Sequence, residues 1–187
     1  MMSKPVSPDV LAESVGGQIS RSLPPIDLWN PELSGEMDIR ITQDGTWLHE
    51  GRPIQRLTLV QLFASILRKE DDGKFYLVSP VEKYRIDVED APFLAVQLEV
   101  VEHKEHTELN FITSLGDRVA ADKQHPIWVV DQDAQPRPYI RVRDKLDALI
   151  SRNLFYQMVE LGEERKIAGK QVFGVESAGE FFVLGKI

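Results

Sequence analysis

Polar and apolar residues alternate strictly from Glu82 to Glu89, with Tyr84, Ile86 and Val88 on one side and Lys83, Arg85, Asp87 and Glu89 on the other. Strand side chains point to opposite faces in turn, so this run predicts a half-buried antiparallel strand. The apolar run Phe75-Tyr76-Leu77-Val78 stops at Ser79-Pro80 just before it, and the two predict a hairpin near the middle of the chain. Asp90-Ala91-Pro92 then breaks the pattern ahead of another apolar strand, Phe93 to Val101.

Before the hairpin, Ile39 and Ile41 flank Arg40, Asp44-Gly45 predicts a hairpin turn, and Thr46-Trp47-Leu48 returns. A helix follows. Thr58 and Gln61 have capping-box spacing, Leu57 and Leu62 stand at hydrophobic-staple positions, and Leu59, Leu62, Phe63, Ile66 and Leu67 make one apolar face. Arg68 and Lys69 suit the C-terminal end of the dipole and Gly73 a stop. Upstream, Ser7-Pro8 can start a short helix that Gly16-Gly17 ends, and Pro24-Pro25 and Asn30-Pro31 give an extended approach. Residues 1–35 are therefore expected to form an arm over a later surface, outside any core.

The second half echoes the first. Ile41-Thr42 and Gly45 recur as Ile112-Thr113 and Gly116, and Leu62-Phe63 with Ile66-Leu67 as Leu154-Phe155 with Met158-Val159. The strands Gln171–Glu176 and Glu180–Leu184 flank Ser177-Ala178-Gly179 as the central hairpin flanks Ser79-Pro80. The shared order predicts an internal duplication. A single helix from Asp144 to Leu161 would turn Asn153 and Gln157 into the apolar arc, so a break near Ser151–Asn153 is expected, with an inserted helix before the main one. The fold class is α+β, two related β-β-α-β-β units, with an arm over 1–35, a first unit over 36–92 and a second over 93–187.

Composition narrows the function classes. Among 187 residues, 22 Lys and Arg stand against 30 Asp and Glu, a net charge of −8 spread over both halves. An evenly acidic chain argues against duplex DNA, whose binding depends on concentrated cations. There is no cysteine, hence no disulfide, thiolate nucleophile or Cys-based metal site. No run approaches the ~18 apolar residues of a membrane span, and no signal-peptide core opens the chain, so a cytoplasmic location is expected.

Candidate chemistry is sparse. His103 and His106 lack the spacing of the HExxH zinc motif and, if extended, face opposite ways, so a solvated turn is expected and no metal. Asp87, Glu89 and Asp90 read as the polar side of an edge strand and its turn, ahead of a cation or acid–base site. Gly162 and Gly169-Lys170 miss the phosphate-loop spacing. The strand Tyr139-Ile140-Arg141-Val142-Arg143 puts Tyr139, Arg141 and Arg143 on one face. Guanidinium forks bind phosphate and an aromatic ring stacks on a base, so this face could bind an anion. Lys83 and Arg85 give a corresponding stripe, and Arg152, Asn153 and Tyr156 could line the same cleft. For each cation alone, pairing with the abundant carboxylates is the simpler expectation.

The segments PPIDLWNP (24–31), DGTWLHEGRPI (44–54), LVQLFASILRKE (59–70), LVSPVEKYRIDVEDAPF (77–93), HPIWV (125–129), PYIRVR (138–143) and LFYQMVEL (154–161) resemble the bacterial family catalogued as domain of unknown function 1285. That resemblance implies a duplicated α+β core, a C-terminal half loosely like pleckstrin-homology domains, and binding of a nucleotide-like ligand at the domain interface in signal transduction. It brings no catalytic residues. The expectation is a non-enzymatic protein without cofactor that binds a small anionic ligand in a cleft between its units through Lys83, Arg85, Tyr139, Arg141, Arg143, Arg152 and Tyr156. The alternatives are a protein–protein interaction module using strand edges and residues 21–31, with a signalling partner, and a hydrolase using the central carboxylates.

Overall fold

Alternation builds the first sheet, beginning with β1 (Gly35–Ile41), which buries Met37, Ile39 and Ile41 and exposes Glu36, Asp38 and Arg40. The computed structural model describes residues 7–16 and 22–187, and the chain divides into two units, the first ending at Asp90 and the second running Ala91–Ile187. β2 (Trp47–His49) and β3 (Arg52–Pro53) follow β1 as an antiparallel meander. α2 (Leu57–Ser65) comes next, preceded in sequence by α1 (Pro8–Gly16). A second meander, β4 (Leu67–Lys69), β5 (Phe75–Val78) and β6 (Lys83–Val88), completes the sheet. β6 pairs in parallel with β1, giving the order β3-β2-β1-β6-β5-β4. The expected edge position of Asp87 is therefore corrected: its strand is interior, and the edges are β3 and β4.

The helix of this unit is shorter than its apolar pattern. It starts after Arg56 without a side-chain cap and ends at Ser65, whose hydroxyl donates to the Leu62 carbonyl at 2.6 Å. It buries Val60, Phe63 and Ala64. Ile66 and Leu67 are fully buried beyond its end, because Leu67 pairs with Leu77 in the sheet. Ladder pairing takes the place of a last helical turn, a tertiary override of a local preference. Arg68 and Lys69 are thus strand residues, and Gly73 (φ 77°) turns β4 into β5.

The N-terminal segment adds to the core of this unit. The Ser7 hydroxyl accepts the Asp9 N–H at 3.2 Å at the start of α1, which packs on α2 and buries Leu11 and Val15 completely. Gly17, the expected stop, lies outside the described residues. A single 3₁₀ turn, Ile26–Leu28, follows, with Ile26 and Trp29 buried.

The second unit repeats the sheet plan. β7 (Phe93–Glu102), β8 (Thr107–Thr113) and β9 (Arg118–Ala120) form one meander, and β10 (Ile127–Gln132), β11 (Gln135–Arg143) and β12 (Leu146–Ile150) another. β12 pairs in parallel with β7, giving β10-β11-β12-β7-β8-β9. The inserted helix expected before Ser151 is this strand: Leu146, Ala148 and Ile150 are buried and alternate with Asp147 and Leu149. Five residues fit a period of two as well as a helical arc, and the parallel pairing decides. The break itself stands. α3 (Arg152–Leu161) begins after Ser151 and buries Leu154 and Met158, leaving Val159 and Leu161 exposed. β13 (Glu163–Ile167), β14 (Lys170–Ser177) and β15 (Glu180–Lys186) then form a three-stranded sheet. Its hairpin turns are Ala168-Gly169 and Ala178-Gly179, all four residues at positive φ, as two-residue turns of this hand require.

The duplication reaches down to single hydrogen bonds. Gly45 N–H donates to the Thr42 carbonyl at 3.0 Å, and Gly116 N–H to the Thr113 carbonyl at 3.0 Å. The Thr42 hydroxyl accepts the Thr46 N–H at 3.2 Å, and the Thr113 hydroxyl the Asp117 N–H at 3.1 Å. In both units a helix precedes a three-strand meander, β4–β6 after α2 and β13–β15 after α3.

Candidate functional site

The cations of both basic stripes lie against carboxylates, the simpler expectation for each taken alone. In the first unit, Lys83 lies 3.1 Å from Glu70 and 4.9 Å above the Tyr76 ring, and Arg85 is paired with Glu36. Glu70 also takes Arg68 at 2.6 Å, while Arg68 donates to the Ile26 and Trp29 carbonyls at 3.1 and 2.8 Å. This stripe ties the N-terminal segment to the sheet. Burial alone would raise Glu70, but hydrogen bonds from Arg68 and Lys83 outweigh it and hold the carboxyl below its ordinary value of 4.5. A carboxyl depressed by folding contributes stability above its unfolded pKa that is lost as pH falls through the folded one. Acid unfolding followed by circular dichroism below pH 4.5 is therefore expected to be steeper in the native protein than in Glu70→Gln.

In the second unit the odd-numbered residues of β11 share one face. Tyr139 stacks on Trp128 with centroids 5.7 Å apart and accepts a hydrogen bond from Arg137 Nε at 3.2 Å. Arg141 lies 5.7 Å over Trp128, is paired with Asp147, and donates to the Asp144 carbonyl at 2.8 Å. Arg143 pairs with Asp117 at 3.3 Å and covers Phe93 at 5.0 Å. Arg141 and Arg143 thus already face carboxylates.

A pocket opens where β11 outruns β12. Tyr139 pairs with Leu149, so little of β12 remains beside Pro138, and its chain leaves the sheet into α3. Arg141 N–H points to the β10 side, donating to Pro126, so the even positions of β11 face the β12 side. Pro136, beyond the end of β12, accordingly deletes a donor that would find no ladder partner, while Pro138 stands opposite Ile150, the last residue of that strand. The resulting pocket, about 420 Å³, is walled by Gln135, Arg137, Leu149, Arg152, Phe155 and Tyr156 together with the two prolines and Ile150. Two guanidinium groups and no carboxylate line it, within a chain of net charge −8. Arg152 donates to the Gln135 amide oxygen at 3.4 Å, and Tyr156 is 57% exposed. The first turn of α3 adds the partial positive charge of its unpaired peptide N–H groups, since Ser151 makes no side-chain cap bond.

Of the seven residues expected to bind, Arg152 and Tyr156 line this pocket; Tyr139, Arg141 and Arg143 lie along β11 outside its lining, and Lys83 and Arg85 belong to the first unit. Arg137 and Phe155 went unselected. Arg137 continues the alternation of Tyr139, Arg141 and Arg143 by one step, but it stands between Pro136 and Pro138, residues that interrupt a strand pattern. Asp87 and Glu89, the carboxylates of the hydrolase alternative, are separately used: Asp87 lies exposed in β6, and Glu89 accepts the Gln43 N–H at 3.0 Å.

Residues 24–91 match the model of Domain of unknown function (DUF1285), N-terminal domain, and residues 92–184 that of Protein of unknown function (DUF1285), C-terminal domain. The crystal structure of a DUF1285 family protein from Silicibacter pomeroyi DSS-3 is similar at 42% identity and a TM-score of 0.84, over 95% of each chain. That of a DUF1285 family protein from Shewanella baltica OS155 is similar at 31% identity and a TM-score of 0.53, over 66% of this chain and 91% of that one. No curated protein matches the chain. Among the described residues no helix is long and apolar enough to cross a membrane.

Proposed function

The chain belongs to the DUF1285 family, and from that premise we propose that its second unit is a binding module for a small anionic ligand carrying an aromatic ring, of the nucleotide class. One observation carries the reading: a pocket lined by two arginines, an exposed tyrosine and no carboxylate in an acidic chain. Arg137 and Arg152 would take phosphate or carboxylate oxygens through their forks. Tyr156 would stack on the ring, and Phe155, Leu149 and the prolines would supply apolar wall. The α3 N-terminus adds to the attraction for an anion. The role is that of a non-catalytic sensor.

Thermal unfolding against mono-, di- and cyclic nucleotides tests this. A ligand at ~100 times its Kd that binds only the folded state adds about 2.7 kcal/mol. The midpoint is then expected to rise by roughly 5–10 °C. Arg152→Ala and Tyr156→Ala are each expected to weaken binding about tenfold or more, the range of one lost charge-assisted bond or one lost stacking partner. Full retention of affinity in the double variant would sink the proposal. A second reading, a docking surface for a protein segment, draws on the exposed Tyr156 and Val159 one turn apart on α3. It predicts no shift with any nucleotide and a stoichiometric partner lost in Val159→Glu.

A further inference from the structure

A solvated turn joins β7 and β8, as the charged sequence there predicts. Glu102 pairs with Thr107, and the four residues between them fold back, with His103 N–H donating to the His106 carbonyl at 2.9 Å. Extended chain would have sent the two imidazoles to opposite faces; the turn stacks them, centroids 4.8 Å apart. Glu108 joins them from the first turn-proximal residues of β8. Its Oε1 accepts a hydrogen bond at 2.7 Å from Asn110, itself buried, and its Oε2 lies 3.9 Å from His103 Nε2. One ligating atom from each of His103, His106 and Glu108 falls within 4.8 Å of the others.

We propose that His103, His106 and Glu108 form a binding site for a borderline divalent metal ion, with Zn²⁺ as occupant and water completing the shell. Two imidazole nitrogens and a carboxylate oxygen are the donor set such ions select, whereas hard cations take oxygen alone. Bonds of 2.0–2.1 Å in a tetrahedron put ligating atoms about 3.3 Å apart. The present separations, up to 4.8 Å, lie within about 1.5 Å of that spacing, and His103 stands in an exposed turn. Asn110 fixes one carboxylate oxygen and leaves the other to the metal, the outer-shell arrangement that orients carboxylate ligands. Glu102 and Glu105 outnumber Lys104 around the turn and favour a cation there.

The test is calorimetric titration of the tag-free, chelator-stripped full chain with ZnCl₂, and with CoCl₂ followed by visible absorption. One equivalent is expected to bind, with the intense bands of four-coordinate cobalt. Both signals are expected to vanish in His103→Ala and His106→Ala and to weaken at least tenfold in Glu108→Gln, which preserves shape. The chain's other histidines, His49 and His125, serve as controls, and their double alanine variant is expected to bind as the native protein does. Absence of binding, or binding that survives in His103→Ala with its cobalt spectrum unchanged, would overturn the site.

Discussion

Ser177→Ala is expected to destabilise the second unit by about 3 kcal/mol, far more than the loss of one hydroxyl usually implies. The Ser177 side chain sits at 0% exposure where β14 meets β8 and the end of β9. It accepts the Leu109 N–H at 2.9 Å and donates to the Ala121 carbonyl at 2.6 Å. Leu109 and Ala121 are themselves buried, so water cannot replace either bond. Alanine leaves a donor and an acceptor stranded at once, each costing about 1–3 kcal/mol. Ser79 gives the contrast: it is equally buried, but its hydroxyl serves the N–H groups of Val81 and Glu82 within its own turn, at 3.3 and 3.0 Å. Urea unfolding of the two alanine variants is expected to rank Ser177 well above Ser79. A loss below ~0.5 kcal/mol at Ser177, the level of an ordinary surface change, would mean that the two sheets are not joined through this hydroxyl.

Gly174→Ala is expected to be at least as damaging. A methyl group there would lie 2.2 Å from the Phe182 carbonyl oxygen and 2.8 Å from the Phe181 ring. The ring could swing aside, but the carbonyl belongs to the paired strand β15, where the register shifts between Phe173 and Gly174. Relief requires parting the strands. Overpacking against backbone falls at the top of the usual range, about 3 kcal/mol, and a melting midpoint lower by roughly 6–12 °C is expected. Gly185→Ala, in the same sheet, meets nothing within 4 Å and is expected to be near neutral. Equal midpoints for the two variants would show that the strands give way easily at Gly174.

Both positions illustrate what sequence reading reaches. Period-two alternation made β1, β6 and the odd face of β11 legible, because sheet burial depends on local order alone. The Thr-Gly turns of the two halves were legible for the same reason: they are closed by their own residues. What lay beyond reach was pairing between distant segments. Leu67 and Ala148 could each belong to a helix or a strand, and only their partners, Leu77 and Phe93, decide. The site divided along the same line. Arg152 and Tyr156 stood out by type, whereas the use of Lys83, Arg85, Arg141 and Arg143 depended on which carboxylates long-range register brought opposite them. Arg137 was hidden by prolines that mark the place where a neighbouring strand runs out. Ser177 and Gly174 carry no sequence signal of their importance at all, since each matters through atoms on other strands.

The parallel pairings β1·β6 and β7·β12 join the first and last strands of each six-stranded sheet at its centre. The strands nearest in sequence to the midpoint, β3 and β4 in one sheet and β9 and β10 in the other, are its margins. Synthesis from the N-terminus therefore delivers one central strand first, the periphery next and the other central strand last. On the ribosome, hairpins such as β1–β2 and β7–β8 can form as they emerge, but neither sheet can close until its sixth strand is made. Until then β1, and later β7, must each wait with one ladder edge open, and these two strands are where a nascent chain of this protein is most exposed to mispairing with another.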